Sequence, residues 1–273
     1  MEKQNILLTG SEGFIGRSLN NQIVNLYSNE FNVLPFEKDN IRNNEYWIEE
    51  LNELVRDSDV ILHVGADSNT QNFDFNDVFF YNYYVSKVLF DLISENNKEK
   101  ITIYSSSAAC YGTQGMPETI YAWSKFLAEQ YGYSKIENFI SLRYFNVYGP
   151  GESEKGNMSS IAFQALKSKN DYFYLFPGNP KRDFIFIEDI VDANLYPIFN
   201  DIKKGIYDVG TGVENLFEDI VEFFGLNVRY HNESKIPKNY QYQTKANKKK
   251  FMKGWEPKYS LEQGLKKYKE LLN

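Results

Sequence analysis

The feature that most restricts the fold lies near the start of the chain. Asn5-Ile-Leu-Leu-Thr9 is followed by Gly10-Ser-Glu-Gly13-Phe-Ile-Gly16 and then by apolar residues at Leu19, Ile23 and Leu26. The short apolar run reads as a buried strand, and the later apolar spacing as one face of a helix. Three glycines between them permit a tight turn and let the backbone approach a pyrophosphate, which would rest on the helix N-terminus. The spacing is GxxGxxG rather than GxGxxG, so the turn gains its meaning from its place between a first strand and a first helix. Gly10, Gly13 and Gly16 are therefore candidate cofactor-binding residues.

The alternation continues downstream. Asn32–Phe36, Asp59–Val64, Lys100–Tyr104 and Phe139–Arg143 read as further strands, with helices over Asn76–Glu95 and around Tyr121 between them. Strands alternating with helices predict an α/β fold, a Rossmann-like doubly wound parallel sheet. After Pro150 the pattern loosens into a helix at Ser159–Lys169, strands at Tyr172–Leu175 and Ile206–Gly210, and an amphipathic helix from Ser260. The expected division is a dinucleotide-binding domain over 1–150, completed by about 183–210. A smaller substrate-binding lobe would take 151–182 and 211–273. Lys245 and Lys248 to Lys250 read as a solvated helix face.

Composition removes several classes of function. A net charge of −7 and a pI near 5.1 argue against nucleic-acid or anionic-membrane partners. Cys110 is the only cysteine, so no internal disulfide forms; with only His63 and His231 beside it, a soft-ligand metal site is not expected. His63, inside Val60-Ile-Leu-His-Val64, reads as a satisfied sheet histidine. No apolar run is long enough to span a bilayer, and a cytoplasmic protein is expected.

Chemistry enters at Tyr121-Ala-Trp-Ser-Lys125. A Tyr and a Lys four apart share a helix face. An ammonium beside a phenol favours the phenolate and would draw its pKa toward neutrality. Such a phenol can take a proton from a sugar hydroxyl and return it. The same spacing recurs at Tyr131 and Lys135, but near the C-terminal end of the same helix, away from the strand ends where open α/β sheets bind ligands. Small residues after the third strand, Gly65 and Ala66, let a dinucleotide lie against the backbone, and Asn82 on the following helix is placed to reach the cofactor side. At the end of the second strand Glu37 favours NAD by repelling a 2′-phosphate, whereas Lys38 favours NADP by pairing with it.

With these motifs in order, the chain resembles the extended short-chain dehydrogenase/reductases over nearly its whole length. The likeness rests on the glycine turn, on Ser107 as third residue of the serine run after the fourth strand, and on Tyr121 with Lys125. It implies that Ser107 and Tyr121 hydrogen-bond a substrate hydroxyl and that Lys125 holds the nicotinamide ribose. Dehydratases of this group carry an Asp-Glu pair after the catalytic serine or threonine. Ala108 and Ala109 stand there, so elimination lacks its acid and base.

Within the group, Arg143-Tyr-Phe-Asn-Val-Tyr-Gly-Pro150, Lys155-Gly-Asn-Met-Ser-Ser160, Phe176-Pro-Gly-Asn-Pro-Lys-Arg182-Asp-Phe184 and Tyr240-Gln-Tyr-Gln-Thr-Lys-Ala246 are similar to the ADP-L-glycero-D-manno-heptose 6-epimerases. These isomerases serve lipopolysaccharide inner-core synthesis. The resemblance implies that Asn146, Ser159, Arg182 and Tyr240 contact a nucleotide-diphosphate sugar. It implies that Phe14, Ile15, Asn82, Lys125 and Val147 contact the cofactor, preferably NADP, with NAD as the alternative. It also implies that Lys155 is a second acid/base beside Tyr121. A homo-oligomer is expected. Gln164 stands where the family usually offers a histidine to the substrate. Two further readings stand beside this one: another nucleotide-sugar epimerase or reductase of the superfamily, and a non-catalytic NAD(P)-binding protein.

Overall fold

The structure, a computed structural model, describes residues 3–236 and 240–272. The chain begins with β1 (Gln4–Thr9), α1 (Phe14–Leu26), β2 (Phe31–Phe36), α2 (Lys38–Asn43), α3 (Trp47–Asp57) and β3 (Val60–His63). It continues with α4 (Phe75–Phe79), a π-helical turn (Phe80–Tyr84), α5 (Val85–Asn97), β4 (Ile101–Ser107), α6 (Ile120–Lys135) and β5 (Phe139–Tyr144). The segment read as one helix over 76–95 is thus broken by the π turn. Trp47, Leu51 and Val55 form the buried stripe of α3, a helix that the alternation of strands did not reveal.

The rest of the chain is built of shorter pieces. They are β6 (Asn146–Tyr148), α7 (Ile161–Leu166), β7 (Tyr172–Leu175), β8 (Lys181–Arg182), β9 (Phe184–Phe186), α8 (Ile187–Phe199) and β10 (Gly205–Val209), then β11 (Asn215–Leu216), α9 (Phe217–Phe223), β12 (Asn227–Tyr230), β13 (Gln243–Thr244) and α10 (Leu261–Leu272). The lysine cluster does not form the helix face expected of it. Lys248–Lys250 make a single 3₁₀ turn, in which Lys250 reaches the Tyr111 hydroxyl.

Six strands form one parallel sheet in the order β10-β5-β4-β3-β1-β2. The chain leaves β1 toward β2 and returns to place β3 on the other side. The crevice between the carboxyl ends of β1 and β3 is therefore the topological switch point, where open α/β sheets bind ligands. Apolar side chains cover both faces of the sheet. Leu19, Ile23, Ile190, Val191, Leu265 and Tyr268 pack one face, and Leu51, Val55, Leu89, Phe90 and Ile93 pack the other. β10 enters the sheet beside β5 only after β6–β9 and α8, so the later part of the chain returns to the main sheet.

One buried ion pair braces the sheet. The Arg143 guanidinium meets Glu129 through two hydrogen bonds, at 3.0 and 2.5 Å, and Ser141 donates to the same carboxylate. Both residues are buried, so removing one leaves the other charge without its counter-ion. Arg143→Met should lower the unfolding free energy by about 3–5 kcal/mol, and adding Glu129→Gln should recover most of it. Denaturant unfolding measures this; a loss below about 1 kcal/mol for the single variant would contradict the argument.

Candidate active site

The crevice is shaped by glycine. A Cβ on Gly16 would lie 1.9 Å from the Gly10 carbonyl oxygen, and one on Gly10 would lie 2.6 Å from the Gly65 Cα. Gly10 also has φ of +69°, in the left-handed region that side chains disfavour. Only bare backbone lets α1 start so close to the ends of β1 and β3. The α1 N-terminus has no side-chain cap and no acidic residue in its first turn. Its N–H groups and dipole are thus available to an anion, which fits a pyrophosphate.

Beside this turn lies a cavity of about 340 Å³ lined by Gly10, Gly13, Phe36, Glu37, Lys38, Arg42, Gly65, Ala66 and Tyr81, among others. Its apolar walls and polar rim suit an adenosine. Glu37 accepts hydrogen bonds at 2.6 Å from both the backbone N–H and the hydroxyl of Ser11, tying the end of β2 to the glycine turn. Burial pushes its carboxyl pKa upward, and the Ser11 bonds oppose that shift. Lys38 lies 3.7 Å from the Tyr81 ring centre, and Arg42 stacks more distantly on the same ring. Arg42 and Tyr81 are not singled out by any motif in the sequence. The spacing from Lys38 to Arg42 across one turn was the available signal, but Tyr81 joins them only through the fold.

Asn82, expected on the cofactor side, meets the segment that follows Gly65 and Ala66. It is fully buried, accepts from the Asp67 N–H, and donates to the Asp67 carbonyl and the Ser124 hydroxyl. These bonds tie it to the segment after Ala66, on the cofactor side of β3. His63 lies between the hydroxyls of Thr9 and Ser86; burial pushes its pKa down to about 3, so it stays neutral.

A second cavity opens on the other side of the turn. Its lining includes Gly10, Gly13, Phe14, Ile15, Gly16, Gly65, Ala66, Tyr121, Lys125 and Lys155. Residues far apart in sequence thus converge on one space. Ser107 ends β4, accepts from the Ala109 N–H, and acts on the Tyr121 phenol to lower its pKa. Val147 lies half-buried on β6. Lys155 extends from the 3₁₀ segment Glu152–Met158, with its ammonium 4.2 Å from the Phe14 ring centre.

The electrostatics differ from the sequence expectation for Tyr121. Burial pushes the phenol up to about 12, and the Ser107 hydrogen bond is the lowering influence. The Lys125 ammonium lies 4.3 Å from the Tyr104 ring centre, and burial brings it down to about 8. Desolvation of the phenolate therefore outweighs any help from this lysine. Burial lowers Lys155 as well, while Glu152 acts against that shift.

The remaining predicted residues lie on the lobe side. Asn146 donates to the Asp183 carbonyl and to the Thr244 hydroxyl. Ser159 donates to the Gly156 carbonyl, and Gln164 donates to the carbonyl of Ser159. The latter two therefore brace the Lys155 loop. Arg182 is buried between Phe217 and Tyr240, about 5.5 Å from each ring centre. Its neighbour Asp183 turns inward to Thr211, Gly212 and Ala246, and Glu188 pairs with Lys267. Among the described residues no carboxylate pairs with Arg182, whose N–H groups can hold two oxygens of a diphosphate.

A glycine-turn crevice beside a Ser-Tyr-Lys set defines a dinucleotide-dependent enzyme that acts on a hydroxyl-bearing carbon. The sequence profile of the NAD dependent epimerase/dehydratase family matches residues 6–210. A Fusobacterium nucleatum ADP-L-glycero-D-manno-heptose-6-epimerase is 30% identical, with 84% of this chain and 84% of that protein covered. The crystal structure of the Helicobacter pylori ADP-L-glycero-D-manno-heptose-6-epimerase superposes with a TM-score of 0.84 at 26% identity, covering 99% and 96% of the two chains. A Bacillus cereus UDP-glucuronic acid 4-epimerase, in complex with UDP-glucuronic acid and NAD, shares the fold (TM-score 0.80, 20% identity, 98% and 100% covered). The chain belongs to the NAD dependent epimerase/dehydratase family.

Lys125 provides a test of the site's electrostatics. A lysine at about 8 in the folded state and 10.5 unfolded makes the unfolded chain the better proton binder between those values. Folding stability from this group is full above 10.5 and lost as pH falls through about 8. Lys125→Met should therefore stabilise the fold by up to about 3 kcal/mol at pH 7 while abolishing activity, and the gain should shrink toward pH 10. Thermal unfolding against pH checks this; a destabilised variant at pH 7 would refute it.

Proposed function

We propose that the protein inverts C6″ of an ADP-glycero-manno-heptose by transient oxidation with tightly bound NADP, using Tyr121 and Lys155 as its two acid/bases. The observation that carries this reading is that these two groups, from separate elements, line one cavity with Lys125 and the glycine turn. The two heptose epimerase relatives support the sugar, and the Lys38 and Arg42 cations at the adenosine cavity support NADP over NAD. The same reading places the enzyme in the cytoplasm as a homo-oligomer, with the lobe of 151–182 and 211–273 on the substrate side. Among the described residues no helix is long and apolar enough to cross a membrane.

The cofactor would be held by the α1 N-terminus, Gly10, Gly13, Phe14, Ile15, Gly65, Ala66, Lys125 and Val147. When bound, it supplies a nicotinamide that removes hydride from the carbinol carbon and returns it to the opposite face. The hydroxyl oxygen changes position between those events, so one proton carrier cannot easily serve both. Tyr121, with Ser107 on its hydroxyl, holds the proton at one position, and Lys155 Nζ holds it at the other. Lys155 suits this because burial lowers its pKa toward the working range. Arg182 would clamp the diphosphate, with Tyr240 beside it and Asn146 and Ser159 on the sugar side.

Gln164 in place of a histidine favours one second reading, the same chemistry on another nucleotide sugar. Incubating purified protein with ADP-D-glycero-D-manno-heptose and no added cofactor should give the L-glycero product. Lys155→Ala should keep its bound cofactor and lose on the order of 10²-fold or more in turnover. Unchanged turnover would remove the two-base account, and stoichiometric consumption of NADPH would make the protein a reductase.

A further inference from the structure

The loop between β6 and α7 carries Lys155, and a single buried side chain holds that loop together. Glu152 has no exposed surface. Its carboxylate accepts from the Gly149 N–H (3.1 Å), the Ser160 N–H (2.6 Å), the Ser160 hydroxyl (2.8 Å) and the Tyr268 hydroxyl (3.1 Å). Two of these donors are backbone groups at opposite ends of the loop, so the carboxylate closes it as a clasp. Tyr268 belongs to α10, near the end of the chain, and is itself fully buried. Tyr148, at the start of the same loop, donates to the Leu261 carbonyl where α10 begins. The outer side of the loop is pinned to α1: Arg17 reaches Glu154 at 2.8 Å and the Glu12 carbonyl, and Gly151 faces Phe14.

We propose that Glu152 is the positioning residue for Lys155, and that α10, through Tyr268, fixes the geometry of the second acid/base. This rests on the reading of Lys155 given above. An acceptor of four donors is what a carboxylate supplies; an amide would turn its own N–H₂ toward some of them. The C-terminal helix would then set catalysis from a distance, without touching substrate.

The arrangement also places a negative charge beside the lysine. The charged and titratable groups around Lys155 are Glu152 on its own loop, the Arg17–Glu154 pair between that loop and α1, Tyr121 and Lys125 across the cavity on α6, and Tyr144 at the end of β5. Of these, Glu152 pushes the Lys155 pKa up, against the burial that pushes it down. Losing the charge should move the Lys155 limb of the pH–rate profile to lower pH, which a merely structural residue would not do.

The test compares Glu152→Gln, Tyr268→Phe and Lys155→Ala with the parent. Readouts are bound cofactor, kcat and KM against pH with ADP-heptose, and amide hydrogen exchange across 149–160. We expect Tyr268→Phe to fold, to keep its cofactor and to lose about 10-fold in kcat with KM nearly unchanged, since a displacement of about an ångström suffices for such losses. Glu152→Gln should lose more and shift the limb downward. Both should speed exchange at the Gly149 and Ser160 amides. Normal exchange and normal kcat in Tyr268→Phe would overturn the link to α10 even if Glu152→Gln fails to fold. Faster exchange with normal kcat in all three variants would instead overturn the acid/base role of Lys155, and the positioning role with it.

Discussion

The close approach of Gly16 to the Gly10 carbonyl is the contact on which the site depends. It brings α1 against the end of β1 with no room for a methyl group, and so aims an uncapped helix end into the crevice beside β3. Phe14, the first residue of that helix, forms a floor on which the Lys155 ammonium rests, and Arg17 one turn later holds the outside of the same loop. The geometry that would admit a pyrophosphate therefore also sets the distance between the α1 end and the Lys155 ammonium.

Buried charge is treated in two ways in this molecule. Glu129 and Arg143 neutralise each other under the sheet, with further hydrogen bonds from Ser141, and this pair holds structure. Lys125, Lys155 and Arg182 are desolvated without a carboxylate ion pair among the described residues, and burial pushes each of their pKa values down. Such groups cost stability, and desolvated cations of this kind gather at functional sites. Arg182 between two aromatic rings suits a diphosphate on this ground.

What the sequence disclosed follows from how local each signal is. The strand-glycine-helix entry, the Tyr121/Lys125 pair and the rejection of Tyr131/Lys135 depend on spacing within one element and its neighbouring strand end. In the structure Tyr131 donates to Asp91 on α5, away from the crevice. The family resemblance supplied Lys155 and Arg182, which no spacing rule would have singled out. Signals that depend on a partner far along the chain stayed hidden. Tyr81 meets Lys38 and Arg42 only after folding, Asn82 is consumed by Asp67, and Glu152 gains its meaning from Tyr268 over a hundred residues away. The phenol pKa differs from the expectation for a related reason: spacing shows the ammonium but not the desolvation that outweighs it.

In the proposed reaction hydride leaves one carbon and returns to it within a closed site, and Tyr121 and Lys155 carry only the hydroxyl proton. Proton NMR of the C6″ position during epimerisation of ADP-D-glycero-D-manno-heptose in deuterated water tests this most directly. The account predicts inversion with the original hydrogen kept at C6″. Deuterium appearing at that carbon would mean that a base removes the carbon-bound hydrogen as a proton, and would contradict the account.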